Sequence, residues 1–128
     1  MKILSHVLTL FVVIEHLMFL LLEMFFWDHP IGRQIFGMTV EASAATRVLA
    51  ANQGLYNGFL AAGLVWGMIA RRTEVRYFFL GCIIVAGIYG GYTAKASIFI
   101  VQALPAALAL AATVASHRGI EGGRSTST

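Results

Sequence analysis

The sequence predicts an all-α fold: a four-helix transmembrane bundle with both termini inside and one long outer loop between helices 1 and 2. Two observations support this class. The chain of 128 residues is 59% hydrophobic and only 12% charged, whereas a soluble domain of this length needs more polar surface. The apolar residues also fall into four blocks, at residues 3–26, 48–70, 77–92 and 97–116. Each block approaches the ~20 residues that a spanning helix needs.

These blocks predict a single transmembrane domain at residues 1–116, followed by a disordered cytoplasmic tail at 117–128, which is rich in Gly, Ser and Thr. We expect the first block to be retained as a helix. It is too long for the apolar region of a signal peptide, and it contains Glu15 and His16.

The basic residues predict the orientation of the four helices. The N-terminus, the second loop and the C-terminus share one side, which carries six basic residues: Lys2, Arg71, Arg72, Arg76, Arg118 and Arg124. The other side carries only Arg33, Arg47 and Lys95. The positive-inside rule therefore favours N-in and C-in, with residues 71–76 as a short basic cytoplasmic turn. We expect a multi-pass protein of the cell (plasma or inner) membrane.

The first helix carries one largely polar stripe. At 100° per residue, Ser5, Thr9, Glu15, His16 and Glu23 fall within a sector of about 120°, and most of the remaining surface suits lipid. Glu15 lies near the bilayer midplane, and Glu23 lies about 12 Å further out. Charged groups in hydrocarbon cost roughly 2.5–3.5 kcal/mol each on insertion scales, so they usually mark a site or a buried partner.

The outer segment 27–47 mixes polar residues and glycines with interleaved apolar side chains. This mixture suits an interfacial or partly re-entrant loop, and Trp27 fits the aromatic belt of a membrane protein. Thr39 is the N-cap candidate for a second helix that begins before the hydrocarbon.

The second helix carries Gln53 and Asn57 one turn apart, next to a small-residue stripe at Gly54 and Gly58. Small residues four apart allow another helix to approach closely, so a homodimer through the Gly54/Gly58 face is one expectation. The two amides should face protein, whereas the angular position of Asn52 makes it a weaker site candidate. Hydrogen bonding between helices is the more ordinary role for each amide taken singly.

The third and fourth helices add further polar groups. Tyr89 and Thr93 share one face of the third helix, and Gln102 precedes Pro105 in the fourth. Pro105 removes one backbone hydrogen bond and frees the carbonyl of Val101.

Several of these groups lie at one level, in the outer halves of their helices, with Glu15 and His16 one layer deeper. We therefore predict a ligand site formed by Gln53, Asn57, Asn52, Tyr89 and Gln102. The candidates for acid–base chemistry are Glu15, Glu23 and His16. We predict no metal site, because the sequence has no HxxxH or ExxH repeat and no cysteine cluster. The cofactor is left open.

A resemblance to a known family rests on the stretch ANQGLYNGFLA at residues 51–61, together with Glu15-His16 and Glu23-Met24-Phe25 upstream. With these motifs the chain resembles the DUF1304 family of small bacterial and fungal membrane proteins, over about residues 3–116. The resemblance implies one four-helix membrane domain and supplies no substrate. It also directs attention back to Asn52, which belongs to the family stretch.

Three functions remain open from the sequence. The first is an intramembrane polar site that binds a small amphipathic or lipid-like molecule, with acid–base chemistry as an extension. The second is a proton-coupled small-molecule transporter that uses Glu15. The third is a structural or accessory membrane subunit in which the polar groups only join helices. Whether the protein is an enzyme stays open. The expected partners are the lipid bilayer and an amphipathic or apolar ligand; nucleic acid is not expected, because the basic residues lie where topology places them.

Overall fold

A computed structural model describes residues 2–125, and the side chains of residues 2–117. Within this range the chain is all-helical, with five α-helices, one π-helical segment and no strands. The elements are α1 (Lys2–Phe25), α2 (Pro30–Phe36), α3 (Val40–Ile69), α4 (Thr73–Thr93), the π-helical segment (Phe99–Ala103) and α5 (Leu104–Ser125). The all-α class predicted from the sequence is confirmed.

Three of the described helical stretches are long and apolar enough to cross a membrane: Lys2–Phe25, Thr73–Thr93 and Phe99–His117. These stretches give the chain the character of a membrane protein. Helix α3 contains the second apolar block and has 30 residues, but it is not one of the three. The number of spans and their direction therefore stay predictions.

The helices belong to two compact units. We call one the arginine unit, formed by Met1–Val13 and Gly63–Thr128, and the other the carboxylate unit, formed by Ile14–Ala62. Both α1 and α3 contribute residues to each unit, because the boundaries fall inside these two helices.

The core of the arginine unit includes one face of α4. The buried residues of this helix are spaced three or four apart, which places them on a single face; they are Arg76, Leu80, Ile83, Gly87 and Gly91. Gly87 allows the backbone of a neighbouring element to approach α4 closely, because a Cβ there would lie 2.8 Å from the backbone nitrogen of Ala103. The π-helical segment therefore packs directly on α4.

The π-helical segment ends immediately before Pro105. The N–H of Leu104 donates to the carbonyl of Phe99, five residues earlier. Proline has no N–H, and its ring would clash with the carbonyl four residues before it in a regular α-helix. A wider turn accommodates that constraint. The disturbance expected at Pro105 thus takes the form of a π-turn.

In the carboxylate unit, α1 contacts α3 where Leu20, Glu23 and Met24 meet Gly54 and Gly58. A Cβ at Gly54 would lie 2.8 Å from Cγ of Met24 and 3.1 Å from the carbonyl oxygen of Leu20. A Cβ at Gly58 would lie 2.5 Å from Cδ1 of Leu20. The small-residue face therefore contacts a helix of the same chain. The homodimer through this face stays a prediction, and it would compete with α1 for this surface.

The segment between α1 and α3 differs from the long loop that we expected. Seven of its residues form α2, and α3 begins at Val40. The sequence explains this helix through its ends: Pro30 is at the start, Nδ1 of His29 accepts from the N–H of Ile31, and Gly37 closes the helix with φ 66°. Gly32 lies so close to the carbonyl of Phe26 that a Cβ would overlap it. The N-cap predicted at Thr39 is confirmed, because its Oγ1 accepts from the N–H of Ala42 at 3.1 Å.

Helix α5 extends beyond residue 117, where we expected the tail to begin, as far as Ser125. Residues 126–128 of that tail lie outside the described residues, and the predicted disorder stays a prediction.

Candidate functional site

The carboxylate unit contains a hydrogen-bonded pair of predicted site residues. Nδ2 of Asn57 donates to Oε2 of Glu23 at 2.7 Å. Asn57 is only 8% exposed, whereas Glu23 is half-buried. Gly54 and Gly58 flank Asn57 on α3 and allow α1 to approach closely enough for this bond. The packing thus holds one carboxylate oxygen, while Oε1 of Glu23 makes no hydrogen bond with the described residues.

Glu15 and His16 lie two turns before Glu23 on α1. His16 is fully buried, and its ring meets that of Phe19 edge-on, with centroids 5.6 Å apart. Glu15 is half-buried. Its Oε2 is inaccessible and has no hydrogen-bond partner among the described residues. Because such an oxygen is costly to leave charged, it requires a proton or a cationic partner.

The other two candidate amides of α3 do not face the rest of the chain. Asn52 and Gln53 are both exposed, although the sequence predicted that Gln53 would face protein. The reason is rotation along the helix: Asn57 and Gly54 are buried, and Gln53 lies about 100° from Gly54. Side chains at Asn52 and Gln53 are therefore available to a ligand, a lipid or another protein.

Tyr89 and Gln102 belong to the arginine unit. Tyr89 is 70% exposed, and Gln102 is half-buried within the π-helical segment. Thr93 is also exposed, and its hydroxyl donates locally to the carbonyl of Tyr89 at 2.8 Å. The structure therefore joins Glu23 to Asn57 by a hydrogen bond. The ligand-binding and acid–base roles of all the candidates stay predictions.

A second polar centre, which the sequence analysis missed, lies in the arginine unit around Arg76. This arginine is 6% exposed. Its Nη2 lies 2.7 Å from Oγ of Ser5, 2.6 Å from Oγ1 of Thr9 and 3.0 Å from Oγ1 of Thr113. The carbonyl oxygen of Ser5 is 3.1 Å away. We call these four residues the arginine centre.

The charge pattern predicts Arg76 only as a basic residue of a short cytoplasmic turn at residues 71–76. The structure corrects this, because α4 begins at Thr73 and carries Arg76 on its buried face. One signal could have revealed it: Arg76 precedes Leu80, Ile83, Gly87 and Gly91 at helical spacing. Ser5 and Thr9 were already placed on one stripe of the first helix.

The segment after α1 contains a third polar cluster. Oδ1 of Asp28 accepts from Oγ of Ser43 at 2.6 Å and from Nη1 of Arg33 at 3.0 Å. The hydrogen bond from Ser43, followed by that of Arg33 and its charge, lowers the pKa of Asp28 below its ordinary value. Nε1 of Trp27 donates to Oγ1 of Thr46 at 2.9 Å. These bonds fix the connection between α1 and α3.

No group of three or more His, Cys, Asp or Glu side chains in the described part of the chain could hold a metal ion. Two shallow grooves occur in the arginine unit. One is lined by Trp66, Ala70, Arg72, Glu74 and Val75. The other is lined by Ile84, Ala107, Leu110, Ala111, Val114 and Ala115. Neither groove contains a residue of the predicted ligand site.

Comparison with known proteins confirms the family resemblance. Residues 10–114 match the DUF1304 family, described as a protein of unknown function. The chain is also similar to the uncharacterized protein YpaA of Lactococcus lactis subsp. lactis (strain IL1403). The two are 31% identical over 114 residues, which cover 86% of this chain and 96% of that relative. No solved structure matches the chain significantly. Because the family model matches residues 10–114, which is most of the chain, and the relative matches over nearly its whole length, the chain belongs to the DUF1304 family.

Proposed function

We propose that the protein is a multi-pass protein of the cell membrane, with α3 as a fourth spanning helix and both termini on the inner side. Apolar side chains along α3 support this proposal, because the chain itself leaves them uncovered. They include Val48, Leu49, Phe59, Trp66 and Ile69, the last of which is 78% exposed. Moving such apolar side chains from water into lipid lowers the free energy, so their exposure suits a helix that contacts the hydrocarbon of a membrane.

Cysteine accessibility tests this topology. Cys82 would first be replaced by Ser, and single cysteines would then be introduced as Gln34→Cys or Arg72→Cys, both at exposed positions. In right-side-out vesicles, an impermeant maleimide should label the first position and not the second. Labelling of both positions from the same side would contradict a spanning α3.

We propose that the carboxylate unit binds a small amphipathic or lipid-like molecule through Glu23. The observation that carries this proposal is the 2.7 Å hydrogen bond from the buried Asn57 to Oε2 of Glu23. This bond orients the carboxyl group, while Oε1 has no partner among the described residues. A hydroxyl or ammonium group could bind at Oε1, since both are donors that suit a carboxylate acceptor.

The surroundings of Glu23 suit the remainder of such a ligand. Exposed apolar side chains, including Leu21, Phe25 and Leu55, lie on the helices that carry Glu23 and Asn57. The exposed amides of Asn52 and Gln53 would provide further hydrogen bonds. Acid–base chemistry at Glu23 would require a bound substrate proton within hydrogen-bond reach of Oε1.

Native mass spectrometry in nanodiscs tests the binding. Wild-type protein should retain a small molecule of defined mass through gentle desolvation. Glu23→Gln should reduce its occupancy about tenfold, as expected for the loss of one charged hydrogen bond. The matched control is Glu41→Gln, which makes the same chemical change at an exposed site of α3. Equal occupancy in all three proteins, or no bound molecule in any of them, would overturn the proposal.

A second candidate function is proton-coupled transport by Glu15. The observation that favours it is the buried Oε2 of Glu15, which has no hydrogen-bond partner among the described residues. Such a group can exchange a proton for a cationic substrate. Glu15→Gln should then abolish substrate-dependent proton flux in proteoliposomes, whereas Glu41→Gln should retain it. Unchanged flux in Glu15→Gln would rule out this function.

A further inference from the structure

Arg76 is a buried cation without a counter-charge among the described residues. It is 6% exposed, and the carboxylates of the described residues form one ion pair, between Asp28 and Arg33. Glu74 is exposed in the first turn of the same helix and forms no ion pair with Arg76. A charge removed from water is normally paired, so this arrangement requires an explanation.

The hydroxyl groups of the arginine centre accept hydrogen bonds from only one guanidinium nitrogen, Nη2 of Arg76. Thr9 donates to the carbonyl of Ser5 at 2.8 Å, and Thr113 donates to the carbonyl of Ala109 at 2.7 Å. Ser5 Oγ is then left to donate to Thr113 Oγ1, 2.8 Å away. All three hydroxyl hydrogens are therefore used, and the oxygen lone pairs are free to accept from Nη2 of Arg76. These acceptors are neutral, so the positive charge remains.

Nε of Arg76 is buried and has no hydrogen-bond partner among the described residues. A negatively charged acceptor would form the missing hydrogen bond with this N–H and would also provide the missing counter-charge. Phosphate oxygens have these two properties, and arginine is the side chain most often used to bind them.

The surroundings of Arg76 also favour an anion. Arg72 is the exposed N-cap residue of α4, four positions before Arg76. Positions four apart lie on the same side of a helix, where two like charges repel each other unless an anion lies between them. The first N–H groups of a helix also attract anions. Arg72 and the oppositely charged Glu74 both line the groove that contains Trp66 and Val75. Together with Arg76, the first turn of α4 keeps an excess of positive charge.

We propose that Arg76 and Arg72 form a binding site for a phosphate group at the N-terminal end of α4. The phosphate would accept from Nε of Arg76 and from the guanidinium of Arg72. Since α4 is one of the helices apolar enough to span a membrane, its first turn would lie at the depth of lipid headgroups once α4 spans the bilayer. A phospholipid headgroup and a free phosphate share this chemistry, and the experiment distinguishes between them.

The test follows the Nε–H resonances of arginine in full-length protein labelled with [15N]arginine, in maltoside micelles. One arm is titrated with inorganic phosphate and the other with short-chain phosphatidylglycerol. The Arg76 Nε–H signal should shift and saturate in at least one arm. Saturation with phosphate alone identifies a soluble anion, saturation with lipid alone identifies a headgroup, and saturation with both shows recognition of the phosphate group itself.

Two variants test whether binding depends on this site rather than on any exposed arginine. Arg72→Gln should weaken binding about tenfold, as expected for one charged hydrogen bond, and Arg47→Gln makes the same charge change at an exposed site of the carboxylate unit. The second variant should bind like the wild type. No saturable Arg76 shift in either arm, or an equal shift at Arg47, would overturn the proposal. The wild-type titration decides the matter even if a variant fails to fold.

Discussion

Asn57 Nδ2 donates a 2.7 Å hydrogen bond to Glu23 Oε2, and the two residues are 34 positions apart in the sequence. The bond joins α1 to α3 within the carboxylate unit, at the point where Gly54 and Gly58 bring these helices together. The hydrogen bond that orients the carboxyl group of Glu23 therefore depends on the packing between α1 and α3. Substitutions at this pair should therefore affect stability as well as binding.

Asn57→Leu should destabilise the protein, because it removes the donor to Glu23 and leaves a half-buried carboxyl group unsatisfied. Hydrogen bonds between membrane helices contribute about 0.6 kcal/mol on average and up to about 1.7 kcal/mol. We expect a loss within that range, measured by reversible unfolding in mixed micelles. Gln53→Leu is the matched control, since it changes an exposed amide one turn away on the same helix. An equal effect of the two substitutions would mean that the Asn57–Glu23 bond contributes nothing measurable.

Gly87→Ala should destabilise the arginine unit. A Cβ at Gly87 would lie 2.8 Å from the backbone nitrogen of Ala103, which cannot move without shifting the π-helical segment. Overpacking of this kind costs about 1–3 kcal/mol. Gly81→Ala in the same helix has no atom within 4 Å of the new Cβ, so it should be neutral or stabilise by up to about 1 kcal/mol. Thermal unfolding followed by circular dichroism compares the two, and a stable Gly87→Ala would argue against the close packing.

Thr9→Val should weaken the arginine centre, because it replaces a hydroxyl oxygen 2.6 Å from Nη2 of Arg76 with a methyl group of similar size. The loss of a hydrogen bond to a charged group costs about 1.5–3 kcal/mol. Thr93→Val makes the same chemical change at an exposed position, where the hydroxyl only bonds the carbonyl of Tyr89. We expect a change there within about 0.5 kcal/mol. The same unfolding assay in mixed micelles should separate the two variants, and similar free energies would contradict the proposed importance of the centre.

The Asp28 cluster predicts that the free energy of unfolding depends on pH in the acid range. The hydrogen bond from Ser43 and the guanidinium of Arg33 hold the pKa of Asp28 below its ordinary 3.8. Because the folded protein binds this proton less readily than the unfolded chain, the stabilisation is complete above the ordinary pKa. It is lost as the pH falls through the lower, folded pKa. Carboxyl 13C shifts of Asp28 should give a pKa below 3.8.

Ser43→Ala and Arg33→Gln should each raise the pKa of Asp28, because the first removes the largest single cause of the lowering and the second removes both a hydrogen bond and a positive charge. Asp28→Asn should remove the part of the acid-range stability change that this group causes. An Asp28 pKa at or above its ordinary value in the wild type would show that the cluster does not favour the charged form.

Much of the helical architecture could be predicted from local features. The apolar blocks indicated the long helices, and the Thr39 cap was correct because capping depends on residues adjacent in sequence. The connection after α1 was wrong as a long loop. There, His29, Pro30 and Gly37 contained the end signals of a seven-residue helix, but the apolar pattern was too short to show it.

The polar sites were predicted less completely, because helical periodicity identifies a face without identifying what covers it. Glu23 and Asn57 were both expected to face protein, and the structure joins them. Gln53 was also expected to face protein. It is exposed, although the adjacent Gly54 is buried. A difference of one residue rotates a side chain by about 100°, which is enough to move it from a contact to the surface.

The all-α class, the membrane character and the family follow from the residues alone, because composition, apolar block length and a local motif do not depend on how the chain packs. The meeting of Asn57 with Glu23, and the place of Arg76 among Ser5, Thr9 and Thr113, follow only from the packing of the helices. The partners of Arg76 are separated from it by up to 71 residues. The charge of Arg76 favoured a place at the membrane surface by the positive-inside rule. Its burial depends on hydroxyl and carbonyl acceptors that other helices bring to it, and those contacts exist only once the helices have packed.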